Sequence, residues 1–302
     1  MYYLKFSDLY FNQNQQYNSI NSSGMINKIS DEIIFSIPRN IKQRGFSFSP
    51  LQYLALDQIA IHANLFSSNT SPDNKRVGIL LGSESGGFHE YFKQGKKFYG
   101  SGLKRVSPLT IPRTIHNTGS AVLAIEHEFQ GVSAGYNGDA SIGLVTFLDS
   151  ILALETKEQD LMIFGTGERI RSLDSSFIEE AVLGVVSKIP FDNSFSFSVK
   201  FSLGRGKPWL SESENRSDLI DCAKNSMGDL PEKIFHYSDS TSSNELNTCI
   251  NLEKVTAVVP ELKSLGPILG FEYCLNNCND FVYIVTTKDG FGIILIIHQD
   301  NN

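Results

Sequence analysis

Short, nearly uninterrupted apolar runs alternate along this chain with segments whose apolar residues recur every three to four positions, and this alternation constrains the fold more than any other feature. Val77-Gly78-Ile79-Leu80-Leu81 reads as a buried strand running into a glycine-rich turn, Gly82-Ser83-Glu84-Ser85-Gly86-Gly87. Ile142, Leu144, Val145, Leu148, Ile151 and Leu152 line one side of a helix. Leu161-Met162-Ile163-Phe164 then gives the next buried strand, with Gly165-Thr166-Gly167 read as its turn. The order strand, helix, strand points to an α/β fold.

The same rhythm extends in both directions. Leu51, Leu54, Ala55, Ile59, Ala60 and Ala63 recur at helical spacing behind Ser49-Pro50, which predicts a helix over 49–65. A helix is expected from Ile111 to Phe129, opened by Pro112, and a strand from Val132 to Asn137. Phe195 to Ser202 alternates strictly between apolar and polar residues, the period of a strand with one packed face. After a polar stretch from Gly204 to Arg216, the expected elements are a helix near Asp218 to Met227, a strand at Ile234-Phe235 and a helix from Leu269 to Leu275. Strands at Phe281 to Thr286 and Gly292 to Ile297 close the chain. Residues 1–203 and 204–302 thus read as two halves of one layered domain, with an exposed polar loop near 10–30.

Composition excludes several classes. With 302 residues, 41% of them hydrophobic, the chain buries a large core. Twenty-six basic against thirty-three acidic residues, with no Lys/Arg-rich run, exclude a phosphate-tracking stripe, so no nucleic-acid partner is expected. Charges break the N-terminal segment early and no run approaches the roughly 18 apolar residues of a membrane span, so the expected location is the cytoplasm, without membrane attachment. Cys222, Cys249, Cys274 and Cys278 do not make a disulfide framework. Cys274 and Cys278 suit one helical face, but no second ligand pair accompanies them and no metal is expected. The glycine-rich turn matches neither a dinucleotide fingerprint nor a P-loop and reads as a tight turn.

An ordered series of motifs carries a family resemblance. Val106-Ser107-Pro108, Ile111-Pro112, Asn117, Gly131, Ala140-Ser141-Ile142-Gly143 and Asp160 through Glu168 resemble the N-terminal half of β-ketoacyl synthases, which have the thiolase fold. Further on, His236-Tyr237-Ser238-Asp239-Ser240-Thr241 resembles the family's His-Gly-Thr-Gly-Thr-Pro loop. Lys263 to Gly270 resembles its Lys-Ser-x-x-Gly-His segment, and Asp289-Gly290-Phe291-Gly292 its closing glycine turn. The resemblance implies a layered αβαβα fold with a shortened C-terminal half, most of the shortening lying between Leu203 and His236.

The resemblance also says what the active positions should hold. A condensing enzyme needs a thiolate at a helix N-terminus and two histidines that stabilise a developing enolate. At the family's spacing Ala140 stands at the nucleophile position, and a methyl group cannot be acylated. Pro267 stands at the second histidine position and offers no donor. His236 is the one candidate that survives, and its simplest reading is a hydrogen-bonded histidine without a catalytic role. His62, His89, His116, His127 and His298 read as structural or surface residues.

The implied function is that of a chain length factor, a cysteine-less partner of an active ketosynthase in a type II polyketide system of the aromatic or aryl-polyene kind. Such subunits form heterodimers, in which the strand before the nucleophile, here Val132, Ala134 and Tyr136, pairs across the two-fold axis. The gating positions that shape the acyl tunnel fall on Ile111, Thr114, Ile115 and Thr118. No cofactor is implied for the chain itself, since the partner system carries acyl groups on the phosphopantetheine of an acyl carrier protein. That carrier protein is expected to dock mainly on the partner ketosynthase. The alternatives are an active acyltransferase with a non-standard nucleophile and a homodimeric acyl-chain-binding pseudoenzyme.

Overall fold

The computed structural model describes residues 1–6, 73–156, 159–171, 177–191, 194–205, 231–238, 252–254, 265–287 and 291–299, with single positions at 218, 221 and 225. The helix expected over 49–65, the loop near 10–30 and most of the helix near Asp218 to Met227 lie outside the described residues.

In chain order the strands are β1 (Tyr2–Phe6), β2 (Val77–Ser83), β3 (Ser133–Asn137), β4 (Leu161–Arg171), β5 (Phe177–Ser187), β6 (Phe195–Arg205), β7 (Ile234–Ser238), β8 (Leu252–Lys254), β9 (Asp280–Thr286) and β10 (Phe291–Gln299). The helices are α1 (Phe88–Ser101), α2 (Thr110–Thr114), α3 (Thr118–Glu126), α4 (Ile142–Thr156) and α5 (Leu265–Asn277). Among the described residues they form a 10-stranded sheet in the order β3-β2-β4-β5-β1-β6-β10-β9-β7-β8.

That order is a duplication. Read inward from one edge it runs β3-β2-β4-β5-β1, and from the other β8-β7-β9-β10-β6. In each half the inner parallel strand pairs with two parallel neighbours, β2 with β3 and β4, β7 with β8 and β9. An antiparallel strand follows in each, β5 or β10. The halves join where β1 runs antiparallel to β6, the arrangement a two-fold relation between repeats requires. The repeat changes over between β5 and β6.

α4 leads from β3 to β4 and α5 from β8 to β9, so the two helices hold equivalent places in the repeat. They pack against each other, and α5 reaches strands of both halves, which makes them a central helical layer. Phe147 on α4 is fully buried, with ring centroids 5.0 Å from Phe164 and 5.1 Å from Phe271 on α5. Burying one such side chain contributes about 1.5–3 kcal/mol. Both helices are apolar nearly all round, as a helix enclosed on all sides must be.

Three expectations need correction. The helix expected from Ile111 to Phe129 is two short helices, because Ile115 is extended (φ −68°, ψ 132°) and ends α2. The break lets the His116-Asn117 backbone lie against β3, where a Cβ on Gly135 would collide with the His116 carbonyl. Gly165-Thr166-Gly167 is not a turn, since β4 continues to Arg171 and pairs with β5 along its whole length. Gly165 has φ 149°, and a side chain there would strike the Val182 carbonyl. His236-Tyr237-Ser238 lies in β7, not in a loop. The structure adds β1, β5, β8 and α1 to the expected elements.

Candidate functional site

The glycine-rich turn after β2 is filled from within. Glu168 on β4 is fully buried, and its carboxylate accepts hydrogen bonds from the Ser83 hydroxyl (3.1 Å), the Glu84 N–H (2.5 Å), the Ser85 N–H (3.1 Å) and the Ser85 hydroxyl. Ser83 Oγ in turn accepts the Gly86 N–H at 2.8 Å. The donors that would cradle a ligand's phosphate are already turned onto an internal anion, so this turn is structural.

The turn expected to hold the nucleophile, at Ala140, lies between β3 and α4. Ala140 is buried and presents only a methyl group. The preceding residue dominates its surroundings, because Asp139 Oδ1 accepts the Ser141 N–H at 2.9 Å and the Ser141 hydroxyl at 2.6 Å. The other oxygen, Oδ2, accepts the Thr287 hydroxyl at 2.8 Å. The start of α4 is thus tied across 148 positions of sequence to the residue that follows β9. A helix N-terminus favours an anion, and here the chain's own carboxylate takes that place. Asp139 and Thr287 were not foreseen. The Asp-x-Ser spacing of an Asx turn was a usable signal for Asp139, whereas nothing local marks Thr287.

His236 is buried on β7, and its Nε2 lies 2.9 Å from the Thr286 hydroxyl of β9. Thr286 adjoins Thr287, so the structure brings the surviving histidine and the Ala140 turn to the same end of β9. Pro267 sits buried in the first turn of α5, where a missing N–H does no harm. Its carbonyl accepts the Tyr283 hydroxyl at 2.8 Å. Burial pushes the Tyr283 phenol well above its usual range, so it stays a donor. Neither Ala140 nor Pro267 supplies a nucleophile or a side-chain donor.

The residues expected to gate or line a tunnel divide into three kinds. Thr114 is 4% exposed, with its hydroxyl donating to the Thr110 and Ile111 carbonyls and its backbone in contact with Gly87. Ile111 and Ile115 point outward, 63% and 50% exposed, and Thr118 donates to the Pro112 carbonyl. Val132, just before β3, and Ala134 and Tyr136 within it are half-buried against the core, and β3 forms one edge of the sheet among the described residues. Burial first, and then a hydrogen bond with Asp149 on α4, push the Tyr136 phenol up to about 12.

Among the described residues no three His, Cys, Asp or Glu side chains gather as a metal site, and no helix is long and apolar enough to cross a membrane. Cys274 and Cys278 are buried free thiols near the C-terminal end of α5.

Residues 19–182, more than half of the chain, match the family described as beta-ketoacyl synthase, N-terminal domain. The chain belongs to the β-ketoacyl synthase family. Among curated relatives, this family member is 29% identical over 96 residues to the chloroplastic 3-oxoacyl-[acyl-carrier-protein] synthase I of Arabidopsis thaliana. It is 28% identical over 141 residues to 3-oxoacyl-[acyl-carrier-protein] synthase 1 of Buchnera aphidicola. The matches take in 32% and 43% of this chain but only 20% and 33% of those relatives.

Solved ketosynthase structures share the fold over most of both chains. The ishigamide ketosynthase/chain length factor matches with a TM-score of 0.64 at 12% identity, over 87% of this chain and 83% of that one. A type II polyketide ketosynthase bound to a hexaketide, in complex with its acyl-carrier protein, gives 0.68 at 14% identity, over 87% of each chain. A ketosynthase in complex with its chain length factor from Xenorhabdus doucetiae gives 0.61 at 12%, over 87% and 84%. At these identities the likeness establishes the fold, which is the layered thiolase-like fold of ketosynthases.

Proposed function

We propose that this β-ketoacyl synthase-family chain is a non-catalytic chain length factor. It pairs with an active ketosynthase and shapes the acyl tunnel of a type II polyketide system, aromatic or aryl-polyene, in the cytoplasm. The observation that carries this reading is the Ala140 turn. A methyl group stands where the acyl anchor is needed, and the Asp139 carboxylate holds the helix terminus that would otherwise favour a thiolate. The second position, Pro267, has no donor for an enolate.

The role left to such a subunit is geometric. Among the described residues β3 is an edge strand, whose outer backbone groups a partner strand would satisfy. The segment carrying Ile111, Thr114, Ile115 and Thr118 lies against β3 through Gly135, near where a shared tunnel would close. The acyl carrier protein, with its phosphopantetheine, engages the partner ketosynthase in this reading.

Two measurements test it. Incubating the isolated chain with a labelled acyl thioester should leave it unlabelled by mass spectrometry, and stoichiometric labelling overturns the non-catalytic assignment. In the complex, enlarging Thr114 or Thr118 to Trp should shorten the products, and unchanged lengths count against gating.

A further inference from the structure

Helix α1 is built inside out. Its inward residues are polar, Glu90 and Gln94 being 5% and 4% exposed. Gln94 donates to Glu90 at 2.6 Å and accepts the Ser107 N–H at 3.0 Å, and Arg113 lies 3.9 Å from Glu90. The outward stripe is aromatic: Phe88, Phe92 and Tyr99 are 69%, 46% and 88% exposed, at spacings that share one helical face. Gly95 between them has nothing within 4 Å of its missing side chain, which leaves the stripe open to a flat contact. A soluble domain ordinarily turns such a stripe inward, and a contiguous exposed apolar patch marks a contact surface.

The stripe is framed by cations. Lys96 stands over the Phe92 ring at 4.7 Å, and Lys93 and Lys97 are exposed on the same helix. From Phe88 to His116 the sequence has six basic residues and one acid, and that acid is the buried, paired Glu90. This band is therefore positive on a chain whose net charge is −7. It also continues the β3 edge. The turn entering α1 touches Asn137, the last residue of β3, through Gly86, and touches Thr114 through Gly87.

We infer that the outer face of α1 docks a protein subunit whose facing surface is acidic, and that this subunit is not a second copy of the chain. A closed two-fold dimer uses the same surface on both copies, so a second copy would bring its own basic band into the shared interface. Two such bands in one interface double its positive charge, and like charges across an interface oppose association. An acidic counterpart satisfies both the lysines and the aromatic stripe. The inference rests on the pairing proposed above and adds to it the surface used and the sign of the partner's charge.

The test uses the full chain and an active ketosynthase of the same genome, with affinity measured at low and high ionic strength. Two variants change the exposed face and leave the Lys93–Glu90 pair intact, Lys96→Glu/Lys97→Glu and Phe92→Ser/Tyr99→Ser, and circular dichroism verifies their folding. Each should weaken the complex by about tenfold or more, and salt should weaken the wild-type complex but not the lysine variant. A complex that forms equally with both variants overturns the α1 surface while leaving the pairing in place. A wild-type chain that forms no complex overturns the pairing and this inference with it. A homodimer lost in the same variants overturns the exclusion of a second copy. Binding to phosphatidylglycerol vesicles lost in the variants, with pairing unchanged, assigns the face to a membrane and overturns the protein partner.

Discussion

Replacing Glu168 by Ala removes one acceptor from four donors, two backbone N–H groups at Glu84 and Ser85 and two hydroxyls at Ser83 and Ser85. The hydroxyls rotate toward other acceptors, but the N–H groups are held by the turn. A fully buried donor left without a partner costs about 1–3 kcal/mol, and because both N–H groups are part-buried and water recovers some of that, the pair costs roughly 1–3 kcal/mol. For a chain of 302 residues, an unfolding entropy of about 2.1 cal/mol/K per residue makes each kcal/mol worth roughly 1.6 °C, for an expected fall of about 2–5 °C. Scanning calorimetry checks this. Glu168→Gln keeps one acceptor oxygen and should fall by less than the Ala variant. If the Ala midpoint moves by less than about 1 °C, the carboxylate does not hold the turn and the internal-anion argument fails.

A cysteine placed at Ala140 would sit beside the Asp139 carboxylate, which opposes thiolate formation, so its alkylation at neutral pH should be slow and about tenfold faster once Asp139→Asn is added. Equal rates by peptide mass spectrometry would remove Asp139 from the account of the site. Gly165→Ala forces a side chain into a φ of 149° against the Val182 carbonyl and should destabilise by about 3 kcal/mol or more, read from denaturant midpoints. The Tyr136 phenol is raised from 10.0 to about 12, so its neutral form is favoured in the folded state. Its contribution to stability is complete below pH 10 and is lost as pH rises through about 12. Tyr136→Phe should flatten that part of the stability profile, and an unchanged slope refutes it.

Much of the fold was legible because strand and helix periods are local. The runs at Val77–Leu81, Leu161–Phe164 and Phe281–Thr286 are strands, and the apolar helix beginning at Ile142 is α4. β5 could have been read from Ala181-Val182-Leu183-Gly184-Val185-Val186, an apolar run as continuous as those three. α1 was hidden because its aromatic stripe faces outward, and without knowledge of the inward side its residues resemble a polar loop with scattered aromatics.

By itself the sequence determined the alternating α/β order, the ketosynthase motif series and the absence of a reactive heteroatom at Ala140, since each is a matter of residue type and short-range spacing. Tertiary structure decided which segments meet. The β1–β6 junction pairs Tyr3 with Ser196, the Asp139 carboxylate meets Thr287, and Glu168 enters a turn more than 80 residues earlier. Such contacts form because two halves of one sheet close around a shared pair of helices, and that closure depends on the packing of the whole chain.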